Sequence, residues 1–105
     1  MKRFEVWLAQ LDPGLGSEMR KTRPVVIVSP DEMNRRLRTV LVAPLTSGGF
    51  AAPFRVPCRF AGAQGQLALD HLRGMDKARL IRPLGVLEAE TAQATLTALL
   101  EMFSE

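Results

Sequence analysis

The sequence predicts a mainly β fold with a smaller helical part (α+β class), in which a small barrel or sandwich of short strands precedes a C-terminal amphipathic helix. The 105 residues are enough for one hydrophobic core, so residues 1–105 are expected to form a single domain. Five or six short β-favouring segments are separated by turn residues. Near the C-terminus the spacing of apolar residues becomes helical.

The first half of the chain predicts three strands and one short helix. Residues 4–11, "FEVWLAQL", combine alternation with β-favouring Phe, Val and Trp. "PVVIVS" predicts a buried strand, with Pro24 at its first residue, where no ladder donor is needed. "DEMNRRL" fits a short helical turn capped by Asp31. "TVLVAPLT" predicts a third strand, with Pro44 at an edge or at the strand's exit.

The second half predicts three more short strands and the terminal helix. The strands are "FRVPC", "QLALDHLR" and "RLIRPLGVL", separated by "AGAQG" and "GMDKA". From Glu88 to about Phe103 the apolar residues recur at helical spacing. The apolar face of this helix must pack on the barrel or on a second subunit. It comprises Ala92, Leu96, Leu99, Leu100 and Phe103.

Composition excludes several classes of protein. With 47% apolar and 24% charged residues, the chain has the balance of a soluble folded domain. Its longest apolar runs are about six residues, against roughly 20 for a membrane helix, and no signal-peptide pattern is visible, so we expect a cytoplasmic protein with no membrane partner. Cys58 and His71 are single, and no phosphate-binding glycine motif occurs. We therefore expect no metal and no cofactor.

The connection between the first two strands is the most informative segment. Residues 12–23 form a long loop for a compact domain, and such loops are commonly functional. From Glu18 to Arg38 there are six basic against three acidic side chains, within a net charge of +3, which suits nucleic acid or an acidic protein. Arg23 directly precedes Pro24 and the buried strand, so its guanidinium is anchored and its planar donors match a phosphate. A solvated charged loop is the alternative.

Two further groups of polar residues are candidates for chemistry. Thr46 and Ser47 close a strand just before a glycine pair, where hydroxyls donate to a phosphate or cap a turn. Asp70 interrupts the apolar segment "LALDHL", where a carboxylate is costly unless it is paired or lies at a surface cleft. An outward-facing strand residue is the alternative for Asp70. His71, its neighbour, is expected on the opposite face of the strand.

Together, "VWLAQLDPGLGSEMRKTRPVVIVSPDEMN", "VLVAPLTS", "LALDHLRGMDKARL" and the terminal helix resemble the MazF, PemK and Kid family of toxin endoribonucleases from toxin–antitoxin pairs. The resemblance covers essentially the whole chain, and "GSE…RPV" is its most specific part. It implies a small SH3-like β-barrel (CcdB/PemK-like) with a C-terminal helix, a homodimer, and metal-independent, sequence-specific cleavage of single-stranded RNA such as mRNA. The implied products are 2′,3′-cyclic phosphate and 5′-hydroxyl ends. A cognate acidic, MazE-like antitoxin is the implied inhibitor.

The resemblance also implies a catalytic set. Arg23 matches the family's catalytic arginine, and Glu18 matches a glutamate used in some members. Thr46 matches a catalytic or transition-state-stabilising threonine. Asp70 matches an aspartate proposed as the base in the Kid branch. Either Glu18 or Asp70 is the natural base. Arg23 is expected mainly to stabilise charge, because guanidinium hardly loses its proton, with proton donation as its secondary role.

A second set of residues is expected to bind RNA. Phe50 or Phe54 is available to stack on a base, and core packing is the alternative for Phe54. The Kid branch has a histidine where this chain has Ser17 and an arginine where it has Ala68, so the Kid mechanism does not carry over unchanged. The expected RNA-binding residues are Ser17, Arg20, Lys21, Ser47, Phe50 and Phe54.

Two other functions are compatible with a barrel of this kind. A CcdB-like toxin resembles the family in fold but poisons DNA gyrase and cleaves nothing. The carboxylate and arginine of "GSE…TRP" distinguish an endoribonuclease from that class. A non-catalytic RNA-binding barrel would bind RNA in a salt-dependent way without cutting it.

Overall fold

The computed structural model describes residues 1–11 and 22–105. This part of the chain contains seven strands, two α-helices and two 3₁₀ turns. The strands are β1 (Glu5–Gln10), β2 (Thr22–Ile27), β3 (Thr39–Thr46), β4 (Arg55–Phe60), β5 (Ala63–Ala68), β6 (Arg73–Asp76) and β7 (Leu80–Val86). The helices are α1 (Asp31–Arg36) and α2 (Ala89–Met102), and the 3₁₀ turns are Leu69–His71 and Lys77–Arg79. Within the described ranges, none of the helices has the length and apolar content needed to span a bilayer.

The strands form a curled antiparallel sheet in the order β4, β5, β3, β2, β1, β7. β3 organises the curl, because one of its edges pairs with β2 while two strands share the other. β6 pairs with residues 39–42 of β3, and β5 pairs with Leu45 and Thr46. The sheet therefore bends where β3 changes partners. The predicted mainly β barrel with a C-terminal helix is confirmed.

Alternating side chains of the sheet fill two hydrophobic clusters, one on each face. Val26 and Val28 belong to the larger cluster, to which α2 contributes Ala98. Val25 and Ile27 belong to the second cluster. These four consecutive residues are at most 4% exposed, and burial of each such side chain contributes about 1.5–3 kcal/mol. The backbone that carries the start of β2 is thereby anchored to the core.

Two local predictions about this region were wrong. Pro24 is the third residue of β2 rather than its first, and it pairs with Leu8 of β1. Asp31 does not cap α1, since Pro30 occupies the N-cap and makes no side-chain cap bond. The Asp31 carboxylate instead accepts a hydrogen bond of 2.8 Å from the backbone N–H of Arg3. Local sequence favoured a cap, and a contact from the distant N-terminus replaced it.

The terminal helix is confirmed, but part of its apolar face is uncovered. α2 follows an N-cap at Glu88, and its buried residues are Thr95 and Ala98. Leu100 and Phe103, which were predicted on the packed face, are 71% and 73% exposed. The helical spacing identified the apolar residues correctly, whereas the side of the helix that meets the sheet is centred on smaller residues.

Candidate active site

A cleft opens where the pairing of β2 with β3 ends. The antiparallel register stops at Val25 opposite Pro44. Beyond that point the two strands separate around a cleft of about 500 Å³. Residues 22–24 line one wall, residues 45–49 line the other, and Arg55 also contributes. The fold thus brings Arg23 and Thr46, which are distant in sequence, to a common site.

Arg23 is the exposed cation of this cleft. It lies on β2, where its backbone pairs with Ala9 of β1. Within residues 1–11 and 22–105 its side chain makes no ion pair. The guanidinium is thus exposed at the cleft on an anchored backbone, and its planar donors have the geometry that matches an anionic ligand.

Thr46 forms the facing wall at the end of β3. Its hydroxyl donates a hydrogen bond of 2.9 Å to the carbonyl of Gly48 and makes a longer contact of 3.5 Å with the carbonyl of Gln66. Ser47 follows it and is exposed. The Thr46 hydroxyl therefore orders the turn that forms the cleft wall, and it lies within that wall itself.

Asp70 lies in the 3₁₀ turn Leu69–His71, which corrects its predicted position on a strand. Its carboxylate accepts two hydrogen bonds from Arg55, 2.7 Å from Nε to Oδ1 and 3.0 Å from Nη2 to Oδ2. These bonds hold the pKa of Asp70 below its ordinary value. His71 was predicted on the opposite face, but its Nε2 lies 3.6 Å from the Asp70 carboxylate, because successive residues of a 3₁₀ turn do not alternate as they do on a strand.

Arg55 connects Asp70 to the loop that follows β3. Its Nη1 donates to the side-chain oxygen of Gln66 at 3.2 Å, and the amide nitrogen of Gln66 donates to the carbonyl of Phe50 at 2.7 Å. The guanidinium carbon also lies 4.5 Å from the centroid of the Phe50 ring, a cation–π contact. Gly49 has a φ of +143°, and a Cβ there would overlap the Gln66 side chain. The positive φ favours glycine at this position, because other residues are strained there.

Arg55 is the site residue that sequence reasoning missed. In the register of β4 with β5, Arg55 is paired with Ala68, and paired residues point to the same face of a sheet. A guanidinium therefore lies beside Ala68, although the sequence lacks an arginine at that position. The alternation of "FRVPC" places the Arg55 side chain on the face of β4 that does not carry the buried Val56 and Cys58. Only the strand pairing shows that this face belongs to the site.

A smaller apolar cavity of about 200 Å³ adjoins the cleft. The two share Pro24, Leu45, Thr46 and Ser47 as lining residues. Cys58 also lines the cavity, and burial raises the pKa of its thiol. The cleft of mixed polarity thus continues into a more apolar space.

The remaining predicted site residues divide into two groups. Phe50 is 53% exposed, whereas Phe54 is half-buried and packs against the larger cluster, as its core-packing alternative predicted. Ser17, Glu18, Arg20 and Lys21 lie outside the described residues. In the part of the chain that the structure describes, no group of three or more His, Cys, Asp or Glu side chains is placed to share a metal ion.

The sequence matches the family model of the PemK-like, MazF-like toxin of type II toxin–antitoxin systems over residues 2–103. The chain belongs to this family. The resemblance seen in "GSE…RPV" and the following strands is confirmed.

Known PemK-like and MazF-like proteins cover different shares of the chain. Endoribonuclease MazF9 of Mycobacterium tuberculosis is 36% identical over 104 residues, covering 89% of this chain and 88% of that protein. Endoribonuclease PemK of Escherichia coli is 53% identical over 49 residues, which cover 47% of this chain and 37% of that protein. A solved endoribonuclease in complex with its cognate antitoxin, from a mycobacterial species, superposes with a TM-score of 0.81 at 24% identity, covering 96% of this chain and 92% of the other. That last likeness supports the fold.

Proposed function

We propose that this endoribonuclease cleaves single-stranded RNA, including mRNA, at preferred sequences and without a metal ion. The ribose 2′-hydroxyl attacks the adjacent phosphate, leaving 2′,3′-cyclic phosphate and 5′-hydroxyl ends. The observation that carries the proposal is the cleft at the ends of β2 and β3, which Arg23 and Thr46 line together. A guanidinium and a hydroxyl are suitable donors for phosphate oxygens.

The reaction needs a base for the 2′-hydroxyl proton, donors for the phosphorane's negative charge, and a proton for the leaving 5′-oxygen. Arg23 donates to the phosphorane oxygens and keeps its own proton, because guanidinium is not deprotonated in proteins. Thr46 adds a second donor when its hydroxyl exchanges the Gly48 carbonyl for a phosphate oxygen. The bond from phosphorus to the 2′-oxygen forms as the bond to the 5′-oxygen breaks.

Of the two candidate bases, Glu18 is the better one. Both carboxylate oxygens of Asp70 accept hydrogen bonds from Arg55, which lower its pKa and weaken it as a base. We therefore assign proton abstraction to Glu18 and give Asp70 the role of a fixed anion behind the cleft. The protonated Glu18, or a water molecule, then returns a proton to the leaving oxygen.

A preference for single strands follows from the surroundings of the cleft. The exposed ring of Phe50 and the adjoining apolar cavity suit unstacked bases, which a duplex does not offer. Ser47 contributes a further hydroxyl at the cleft wall. Arg20 and Lys21 supply positive charge for the RNA backbone in the same proposal.

The proposed protein partners are an acidic antitoxin and a second copy of the chain. An acidic antitoxin would compete with RNA phosphates for Arg23. The second copy would cover the apolar side chains left exposed by α2 and by the edge strand β7, namely Ile81, Val86, Leu100 and Phe103. Sedimentation of the wild type as a dimer, and of Leu100→Lys/Phe103→Lys as a folded monomer, is the expected result. Unchanged dimers in the variant would place the interface elsewhere.

The chemistry is tested with two versions of one single-stranded oligonucleotide that carries a mapped cleavage site. One version is RNA throughout, and the other has a single 2′-deoxyribose on the 5′ side of the scissile phosphate. In EDTA, the all-RNA strand is expected to be cut and the deoxy strand to stay intact. Cleavage of both strands, or products with 5′-phosphate ends, would contradict the mechanism. Intact RNA together with trapped DNA gyrase would favour a CcdB-like toxin.

A further inference from the structure

We propose that Arg55 is a positioning residue for RNA cleavage, which fixes the carboxylate of Asp70 and supports the ring of Phe50 so that this ring stacks on a base of the RNA. The inference rests on the proposed function, because it assigns a role within the same site. Position 55 has no part in the catalytic set implied by the family resemblance.

The hydrogen bonds of Arg55 are directed at the protein. A guanidinium carries five N–H donors, and Arg55 uses Nε and Nη2 on Asp70 and Nη1 on Gln66. The Arg55 side chain is only 10% exposed. A bidentate pair of this kind fixes distance and orientation together. Arg55 therefore holds Asp70 in one arrangement.

The same side chain ties three separate segments to one another. Arg55 begins β4, Asp70 lies in the 3₁₀ turn after β5, and Phe50 belongs to the loop after β3. Gln66 closes the connection, because it accepts from Arg55 and donates to the Phe50 carbonyl. Since the end of β3 and the first residues of this loop, 45–49, form one wall of the cleft, loss of Arg55 would loosen that wall.

Phe50 is held in a form suited to stacking. Phe50 is 53% exposed, although the Arg55 guanidinium lies over its ring and Phe54 meets that ring edge-on with a centroid distance of 6.1 Å. Aromatic stacking with bases tolerates many sequences, and a ring already ordered by Arg55 loses less conformational freedom when RNA binds.

The test measures kcat and KM on a short single-stranded RNA at fixed salt for Arg55→Met, Arg55→Lys, Asp70→Asn and the double variant Arg55→Met/Asp70→Asn. Arg59→Met is the matched control, because Arg59 lies on the same side of β4 as Arg55 and its substitution removes the same charge. Arg55→Met is expected to raise KM about 10-fold through Phe50 and to lower kcat as well. The double variant is expected to be no worse than Arg55→Met, since the two residues act as one unit.

Arg55→Lys keeps the charge and most of the aliphatic stem but lacks the planar fork, so it is expected to restore little of the lost activity. Activity of Arg55→Lys equal to the wild type would overturn the proposal, even if Arg55→Met unfolds. Kinetics of Arg55→Met that match Arg59→Met, or fully additive effects in the double variant, would overturn it as well. Arg23→Ala in the same assay separates the two hypotheses. If Arg23→Ala is active, the proposed function fails, whereas an inactive Arg23→Ala beside a normal Arg55→Met defeats only this inference.

Discussion

Two arginines line the same cleft and are used differently. Arg23, on β2, is exposed and makes no ion pair within residues 1–11 and 22–105. Arg55, at the start of β4, is nearly buried and is paired with Asp70. Because a guanidinium engaged by a carboxylate has few donors left for a ligand, we propose that Arg23 meets the charge of the substrate and that Arg55 supports the architecture of the cleft.

The largest expected effect is the loss of activity in Arg23→Ala. Removing one preorganised donor to a developing charge typically costs about 10²- to 10³-fold in rate. The stability of the variant should stay within about 0.5 kcal/mol of the wild type, as is usual for exposed positions. Cleavage rates check the expected loss of activity, and urea unfolding of the same samples checks the expected stability. A large loss of stability would show that Arg23 also has a structural role and would weaken the contrast with Arg55.

Thr46→Val should have the next largest effect. It keeps the shape of the side chain and removes the hydroxyl, and a hydrogen bond to a charged group is worth about 1.5–3 kcal/mol, so the cleavage rate should fall about 10- to 100-fold. Ser47→Ala, one residue further along the exposed wall, is the matched control and should lose less. Equal losses in the two variants would remove the special role of Thr46.

The smallest expected effect concerns stability and pH. The pKa of Asp70 is lowered in the folded state, first by its hydrogen bonds from Arg55. The ion pair therefore contributes stability above the ordinary carboxyl pKa of about 3.9, and this contribution is lost as pH falls through the lowered folded-state pKa.

Urea unfolding of the wild type and Asp70→Asn at a series of pH values tests this expectation. The difference in the free energy of unfolding between the two proteins should be constant from neutral pH to about pH 5 and should shrink below about pH 4. A difference that is the same at pH 3 and pH 7 would show that Asp70 does not act through its charge.

Much of the fold could be predicted from local sequence. Alternation in "FEVWLAQL" and the apolar run "PVVIVS" correspond to β1 and β2, and the helical spacing near the C-terminus corresponds to α2. The segment "LALDHL" was misassigned at its second half, because its alternation resembles a strand although residues Leu69–His71 form a 3₁₀ turn. The local pattern does not distinguish a strand from a 3₁₀ turn when the turn also buries every second or third residue.

The site was predictable only in part. Arg23 and Thr46 were predicted as site residues from their position at strand ends, and the pairing of β2 with β3 brings both to one cleft. Arg55 was missed because its role depends on the pairing of β4 with β5, a long-range contact that no local motif encodes. Helical spacing identified Leu100 and Phe103 as apolar-face residues but left open whether the barrel or a second subunit covers them, and their exposure shows that the sheet of the same chain does not.

Metal-independent RNA cleavage that depends on Arg23 is tested with a long single-stranded RNA in EDTA. The RNA is incubated with the wild type, Arg23→Ala and Arg59→Met, and the new 5′ ends are sequenced. Clustered cuts with a common sequence are expected in the wild type and in Arg59→Met, and none above background in Arg23→Ala. Intact RNA with the wild type, or the same cuts with Arg23→Ala, would contradict it.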